Sequence, residues 1–211
     1  MTVNFKTYND INSLISEYQN SKLLVVSKNR SKNDVEELMI GGANLFGENR
    51  VQEAKSKFTK DLYNRYEFKL HLIGPLQSNK TEEALKIFDT IQTIDRYKLI
   101  DKISNLKNKM EFKTKSFYIQ INIGEEMQKS GVPLNELSKL YEYSLEKNLN
   151  IVGLMCIPPL NKNANFYFNK MREIKSNLND KLLLSMGMSN DYETALKCGS
   201  DLIRVGSKIF T

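Results

Sequence analysis

Eight short apolar runs alternate along this chain with segments that carry apolar residues at helical spacing. This alternation limits the fold more than any other feature of the sequence. Several runs are almost continuously apolar, as at residues 23–26 and 151–155, which is typical of parallel strands covered on both faces. The eight candidate strands are residues 22–28, 44–48, 68–74, 90–94, 117–122, 151–157, 181–186 and 202–206.

The segments between these runs predict helices, with one leading helix at about residues 8–19 and seven more that connect the strands. Strands that alternate with helices form a parallel sheet, and eight of each favour a closed barrel. We therefore predict an α/β fold, a single (β/α)8 TIM barrel that forms one domain over residues 1–211. An open doubly wound sheet is the alternative, but the Gly-x-Gly-x-x-Gly turn that often marks it is absent from the sequence.

Composition argues against several other classes of protein. The 31 Lys and Arg residues exceed the 25 Asp and Glu residues by six, but they are scattered, as on a solvated surface, rather than gathered in the basic stripe of a nucleic-acid-binding protein. Cys156 and Cys198 are far apart and have apolar neighbours, which predicts buried thiols in a reducing compartment. No apolar run could serve as a signal core or a membrane span. We expect a cytoplasmic monomer that binds neither nucleic acid nor a membrane.

The residues that follow the strands are the candidates for function, because barrels of this kind place their sites at the carboxyl ends of the strands. Lys28 closes the first run and places an amine at the rim, although a lysine that merely begins a solvated loop would have the same sequence. The second and third runs end in segments rich in amide side chains, at 46–50 and 71–80. His71 is the only histidine, which rules out a multi-histidine metal site, and we expect it to be a hydrogen-bonded core residue.

The seventh and eighth runs end in residues suited to a phosphate. Ser189 is expected to begin a helix whose free N–H groups favour an anion, although an ordinary Ser N-cap without a ligand has the same sequence. Arg204 lies among apolar residues and must find a partner, either a carboxylate in the barrel or an acceptor on a ligand. Gly206 and Ser207 add backbone and hydroxyl donors where phosphate-binding barrels often have them.

Taken together, these segments resemble the pyridoxal phosphate homeostasis proteins, also known as proline synthase co-transcribed homologues. The resemblance runs from about residue 23 to residue 210, with the shared motifs in order along the chain. They are Val-Ser-Lys at 26–28, Phe-Gly-Glu-Asn at 46–49, Val-Gln-Glu at 51–53, His-Leu-Ile-Gly-Pro-Leu-Gln-Ser-Asn-Lys at 71–80, Ile-Asp-Arg at 94–96, Gln-Ile-Asn at 120–122, Lys-Ser-Gly at 129–131, Gly-Leu-Met at 153–155, Gly-Met-Ser at 187–189 and Arg-Val-Gly at 204–206.

The resemblance implies a barrel like the N-terminal domain of alanine racemase, without its C-terminal β domain, that binds pyridoxal 5′-phosphate (PLP). In that arrangement Lys28 holds the cofactor as a Schiff base, and Arg204 faces the pyridine nitrogen. Asn49 lies near the ring, and the phosphate is held by Ser189, Gly206 and Ser207.

Three departures from the family pattern leave this site intact. Asn29-Arg30 follows the Schiff-base lysine where Thr-Lys is frequent, and Ser207 stands where Thr is common. The sequence ends at Thr211 without the usual short tail, which puts in doubt only the contacts that such a tail makes.

Three functions remain open at this point. The preferred one is a carrier that buffers PLP and delivers it to apo PLP-dependent enzymes without robust catalysis of its own. A PLP-dependent amino-acid racemase is the alternative, and a barrel for another phosphorylated metabolite is the third. Lys80 and Lys129 are spare amines on the same face, with only a conjectural role in accepting the cofactor.

Overall fold

The computed structural model describes residues 2–107, 109, 111–160 and 162–210. Met1 and Thr211, at the two ends of the predicted domain, lie outside the described residues. So do residues 108, 110 and 161.

Eight parallel strands close into a barrel in chain order, because β1 pairs with β2 on one side and with β8 on the other. Each strand falls within or overlaps its predicted run, so the closed barrel is confirmed and the open sheet is wrong. The strands are β1 (Lys22–Val26), β2 (Leu45–Glu48), β3 (Lys69–Leu72), β4 (Thr90–Ile94), β5 (Ser116–Ile121), β6 (Ile151–Cys156), β7 (Leu183–Ser185) and β8 (Leu202–Val205).

Nine α-helices surround the barrel within the described residues, one more than predicted. They are α1 (Phe5–Ile15), α2 (Lys32–Ile40), α3 (Val51–Lys57), α4 (Lys60–Arg65), α5 (Thr81–Ile87), α6 (Tyr97–Lys107), α7 (Leu137–Glu146), α8 (Ala164–Leu178) and α9 (Tyr192–Lys197). The extra helix lies between β2 and β3. There the chain leaves helical geometry at Phe58 and re-enters it after Thr59, so one predicted segment becomes α3 and α4.

Local sequence explains how individual helices start and which face they bury. Ser31 caps α2 by accepting from the backbone N–H of Asp34, whose carboxylate accepts in return from the backbone N–H of Ser31. This reciprocal capping box satisfies two donors that a helix start leaves unpaired. Three apolar residues of α2, Val35, Leu38 and Met39, are buried, whereas Ile40 at its end is exposed.

The core between the strands and the helices is dense with aromatic rings around β2. Phe46, Phe58 and Phe68 pack with ring centroids 5.5–6.2 Å apart, and none is more than 7% exposed. Truncation of one such ring to alanine typically costs about 3–5 kcal/mol. This packing anchors α3 to the end of β2.

The seam between β1 and β8 brings the two ends of the sequence together. Leu24 lies opposite Arg204 in the register, and Val25 lies opposite Val205. Beyond these pairs Gly206 approaches β1 so closely that a Cβ atom there would lie 2.5 Å from the carbonyl oxygen of Val26. The loop after β8 therefore passes directly over the end of β1.

Both cysteines are buried and neither forms a disulfide, as predicted. Burial raises the pKa of the Cys156 thiol to about 12, so this group stays protonated at neutral pH. Within the described residues no helix combines the length and the apolar character needed to cross a membrane.

Candidate functional site

The carboxyl ends of the strands surround a cavity of about 600 Å³. All six predicted site residues line it, namely Lys28, Asn49, Ser189, Arg204, Gly206 and Ser207. They reach the cavity from four strand ends, those of β1, β2, β7 and β8, which the closed barrel makes neighbours. One cavity therefore contains an amine, a guanidinium, an amide and two hydroxyl groups.

Lys28 lies two residues beyond the end of β1, in a turn rather than in the strand itself. The turn spans residues 27–30, because the backbone N–H of Arg30 donates to the carbonyl of Ser27 over 3.1 Å. Asn29 takes a positive φ of 59°, a backbone conformation that asparagine tolerates better than most residues. In the described part of the chain the Lys28 amine has neither a hydrogen bond nor an ion pair, so it is available to a ligand.

A buried cluster of charged side chains forms hydrogen bonds to this turn. Glu48 is fully buried and accepts from the Ser27 hydroxyl over 2.6 Å. Lys57 donates to the same Glu48 oxygen over 2.6 Å and to the Ser27 carbonyl over 2.5 Å. Glu53 accepts from Lys57 over 3.0 Å and from the backbone N–H of Asn29.

The loops after β7 and β8 meet through the side chains of Ser189 and Ser207, whose hydroxyl oxygens lie 2.9 Å apart. The expected helix start at Ser189 is wrong, because α9 begins at Tyr192 with Asp191 at its N-cap. The carboxylate of Asp191 accepts from the backbone N–H of Met188 over 2.6 Å, which closes residues 188–191 into a turn. Ser189 thus contributes a hydroxyl to the cavity without the helix terminus that the sequence suggested.

Arg204 points into the barrel and is only 3% exposed. Its guanidinium donates to the Ser185 hydroxyl over 2.9 Å and to the Cys156 carbonyl over 2.8 Å. Neither partner is a carboxylate, and within the described residues no acidic side chain forms an ion pair with it. Burial lowers the pKa of Arg204 from its usual value, but a guanidinium keeps its proton in proteins. Its remaining N–H groups are available to an acceptor in the cavity.

A chain of buried polar side chains extends from Arg204 across the barrel. The Ser185 hydroxyl donates to the Gln92 carbonyl oxygen over 2.6 Å, and the Gln92 amide contacts Nδ1 of His71 at 2.8 Å. Because Gln92 uses its carbonyl toward Ser185, its NH₂ group faces His71, so Nδ1 is the acceptor. Burial lowers the pKa of His71 to about 4, which keeps the ring neutral and fits the predicted hydrogen-bonded core histidine.

Asn49 follows β2 and reaches the cavity because the next strand leaves room for it. A Cβ atom at Gly74 would overlap the backbone of Asn49, so only glycine permits this approach of the two loops. Asn49 is half-buried and lines the same cavity as Lys28.

Several functional candidates escaped the sequence analysis. Lys162, on the loop between β6 and α8, lines the cavity, as does Asp191. Ser185 and Gln92 support Arg204 from inside the barrel, and the signal for both was a polar residue within an otherwise buried strand. Lys57 carried no such signal, because a lysine at the end of a helix is usually a surface residue.

The two spare amines do not join the site. Lys80 pairs with Glu83 over 3.5 Å, and Lys129 pairs with Glu126 over 2.6 Å. Neither lines the cavity. Among the described residues no group of three or more His, Cys, Asp or Glu side chains is arranged to hold a metal ion.

The donor set fits an anionic aldehyde with a flat ring. The hydroxyls of Ser189 and Ser207 and the backbone at Gly206, where no side chain blocks the approach of a ligand, suit a phosphate. The amine of Lys28, which has no partner within the described residues, suits a carbonyl carbon. The guanidinium of Arg204 can donate to a ring nitrogen that carries a lone pair. These groups are fixed on strand ends and short turns, which favours preorganised binding.

Comparison with known proteins agrees with this geometry. The alanine racemase N-terminal domain family matches residues 7–211. The pyridoxal phosphate homeostasis protein of Aquifex aeolicus is 36% identical over 201 residues, which cover 90% of this chain and 86% of that protein. The protein of the same description from Pasteurella multocida is 37% identical over 199 residues, covering 90% and 85%.

Solved structures show the same pattern. PipY of Synechococcus elongatus PCC7942, solved with PLP bound, superimposes with a TM-score of 0.82 at 31% identity, covering 96% of this chain and 99% of that one. The alanine racemase of Acinetobacter baumannii superimposes with a TM-score of 0.70 at 16% identity. This chain covers 93% of its own length but only 58% of the racemase, so that likeness concerns the barrel fold alone.

Proposed function

This chain belongs to the pyridoxal phosphate homeostasis protein family, and we propose that it binds PLP, buffers it and delivers it to apo PLP-dependent enzymes. The observation that carries the proposal is the convergence of an unpaired lysine amine, a buried arginine and two paired hydroxyls in one cavity. Each of these groups matches one functional group of PLP.

In this proposal Lys28 holds the cofactor as a Schiff base. The unprotonated Nζ of Lys28 bonds to the aldehyde carbon, the C=O bond becomes C=N, and the oxygen leaves as water. A lysine without a carboxylate partner meets one requirement of this step, because an ion pair would favour the protonated amine.

The other groups orient the ligand. Ser189, Ser207 and the backbone at Gly206 hold the phosphate, Asn49 lies against the ring, and Arg204 donates to the pyridine nitrogen. A permanently charged donor leaves that nitrogen unprotonated, which weakens the ring as an acceptor of carbanion charge. The arrangement therefore suits storage better than reactions at an amino-acid α-carbon.

We further propose that the protein has no robust catalysis of its own. Racemisation needs acid–base groups on both faces of the substrate carbon, and among the described residues that line the cavity there is neither a tyrosine nor a histidine. Tyr192, the tyrosine nearest in sequence to Ser189, is buried, and the Lys208 amine lies 5.0 Å from its ring centroid. This placement supports a packing role for Tyr192.

The test is a transfer experiment. Protein loaded with PLP and freed of excess ligand is mixed with an apo aminotransferase, and the recovery of aminotransferase activity is followed over time. We expect full recovery, with disappearance of the visible absorbance of the loaded protein. A loaded protein that never yields its PLP would contradict delivery, and a protein that binds no PLP would contradict the proposed function as a whole.

A further inference from the structure

The cluster of Glu48, Glu53 and Lys57 is the most unusual feature that the proposed function leaves unused. Lys57 is 4% exposed and Glu48 is fully buried, and the attraction between two buried charges must offset a large cost of removing them from water. One ammonium contacts two carboxylates there. A cluster of this kind is weak evidence for added stability, because apolar residues of similar volume often serve stability as well.

The hydrogen bonds of the cluster converge on one segment of backbone. They engage the hydroxyl and the carbonyl of Ser27 and the N–H of Asn29. These residues precede and follow Lys28 directly, so the backbone is held on both sides of the lysine. The attachments come from β2 and from both ends of α3, which the aromatic packing around Phe46 and Phe58 fixes to the barrel.

The Lys28 side chain itself makes no such contact within the described residues. Its position is therefore set by the turn beneath it rather than by partners of its own amine. Covalent chemistry is sensitive to such placement, since an error of about 1 Å can cost about a hundredfold in rate. A rigid turn would hold the amine near the carbonyl carbon while leaving its nitrogen unengaged.

We propose that Lys57 and Glu53 are positioning residues that fix the 27–30 turn and so preorganise Lys28 for bond formation with the PLP aldehyde. The inference rests on the proposed function, because it concerns the same lysine and the same ligand. In this proposal the cluster affects formation of the bond between Lys28 and the aldehyde, and it does not affect recognition of the phosphate or the ring.

Two ligands separate these roles. PLP carries an aldehyde, whereas pyridoxine 5′-phosphate carries a hydroxymethyl group at the same carbon and cannot form a C=N bond. Dissociation constants for both ligands are measured with wild type, with Lys57→Met and with Lys55→Met. Lys55 is the matched control because it lies on the same helix, is exposed and pairs with Glu83 instead of the turn. Borohydride trapping at Lys28 gives an independent readout of the covalent bond.

We expect Lys57→Met to weaken PLP binding by about tenfold or more and to slow trapping at Lys28, while pyridoxine 5′-phosphate changes by less than about twofold. Lys55→Met should leave both ligands unchanged, and Lys57→Arg should recover part of the PLP affinity. Equal losses for the two ligands, or no loss for either, would overturn the inference. If Lys57→Met does not fold, Glu53→Met gives the same test, because it removes the acceptor of the Asn29 backbone N–H. Glu53 is partly exposed, so its replacement should disturb folding less. Failure of wild type to bind PLP would instead refute the proposed function.

Discussion

The hydroxyl of Ser207 donates a hydrogen bond to the hydroxyl of Ser189 over 2.9 Å. This bond joins the loop after β8 to the loop after β7 at the rim of the cavity. Both groups can rotate toward an anion, because each hydroxyl has one hydrogen that is free to choose its acceptor. The pair is thus a ready set of neutral donors for a phosphate.

Removal of one of these donors should weaken PLP binding selectively. We expect Ser207→Ala to cost about 1 kcal/mol, or about fivefold in the dissociation constant. Pyridoxal, which lacks the phosphate, should bind much more weakly than PLP to wild type and should not distinguish wild type from the variant. Ser21→Ala, on the opposite end of the barrel, is the control. Equal losses for PLP and pyridoxal would show that Ser207 does not face the phosphate.

Borohydride reduction should fix a pyridoxyl group on Lys28. The purified, loaded protein should be yellow, and peptide mapping after reduction should place the label on the peptide that contains Lys28. Lys28→Ala should lose the visible band but keep weak phosphate-anchored binding. Lys162→Ala is the matched control because Lys162 lines the same cavity, and it should retain the band. A label on Lys162 with Lys28 unmodified would refute the assignment.

The support of Arg204 should be measurable as stability. Ser185→Ala removes the group that links Arg204 to Gln92, and a buried donor left without a partner costs about 1–3 kcal/mol. Urea denaturation should show this loss. The double variant Ser185→Ala with Gln92→Leu should lose less than the sum of the single variants, because the two residues share one hydrogen bond. Strict additivity would mean that the chain of side chains does not act as a unit.

The buried histidine should make stability fall below pH 6.5. Burial lowers the pKa of His71 from 6.5 to about 4, so the unfolded chain takes up the proton first as the pH decreases. Stability that is fully present above 6.5 is lost progressively toward pH 4, by about 3 kcal/mol at most. His71→Gln keeps an acceptor for Gln92 but cannot titrate.

The measurement for His71 is the difference between the wild-type and His71→Gln unfolding free energies across this range. The comparison with His71→Gln is needed because burial also raises the pKa of Glu48. A raised carboxyl pKa lowers the stability of the folded state as the pH rises, whereas the lowered pKa of His71 increases it. His71 is the only histidine in the sequence, so no other imidazole contributes. A difference that stays constant from pH 7 to pH 4 would contradict the prediction.

Amino-acid racemisation should be absent or marginal. The loaded protein is incubated with each common L-amino acid, and the D-isomer is followed by chiral chromatography. Turnover on the order of 1 per second, which is common for enzymes, and its loss in Lys28→Ala would make the racemase interpretation correct. We expect rates far below that value because, among the described residues, no tyrosine or histidine lines the cavity to act as a second proton carrier opposite Lys28.

The sequence was sufficient to predict the barrel and six of the residues that line the cavity. Strand order follows from the alternation, and in a closed parallel barrel the carboxyl ends of all strands meet at one rim. Lys28 and Ser207 could therefore be placed together although they lie 179 positions apart in the sequence. The error at Ser189 has a local cause, because the Asp191 carboxylate captures the N–H of Met188 and delays the helix by three residues.

Partners inside the barrel were harder to predict. The support of Arg204 depends on which residues of β4 and β7 face inward at the same height, and register across strands is set by packing rather than by local sequence. Lys57 was missed for a similar reason. Nothing near it in the sequence indicates that the end of α3 would bury an ammonium against Glu48.

The seam between β1 and β8 also has a consequence for the order of events during synthesis. Lys28 leaves the ribosome before Arg204, Gly206 and Ser207, because it precedes them in the sequence. A nascent chain therefore carries the Lys28 amine before it carries the groups that we propose hold the phosphate. Because β1 pairs with β8, the barrel closes only after β8 has been made, and the proposed capture of the cofactor would report that this closure has taken place.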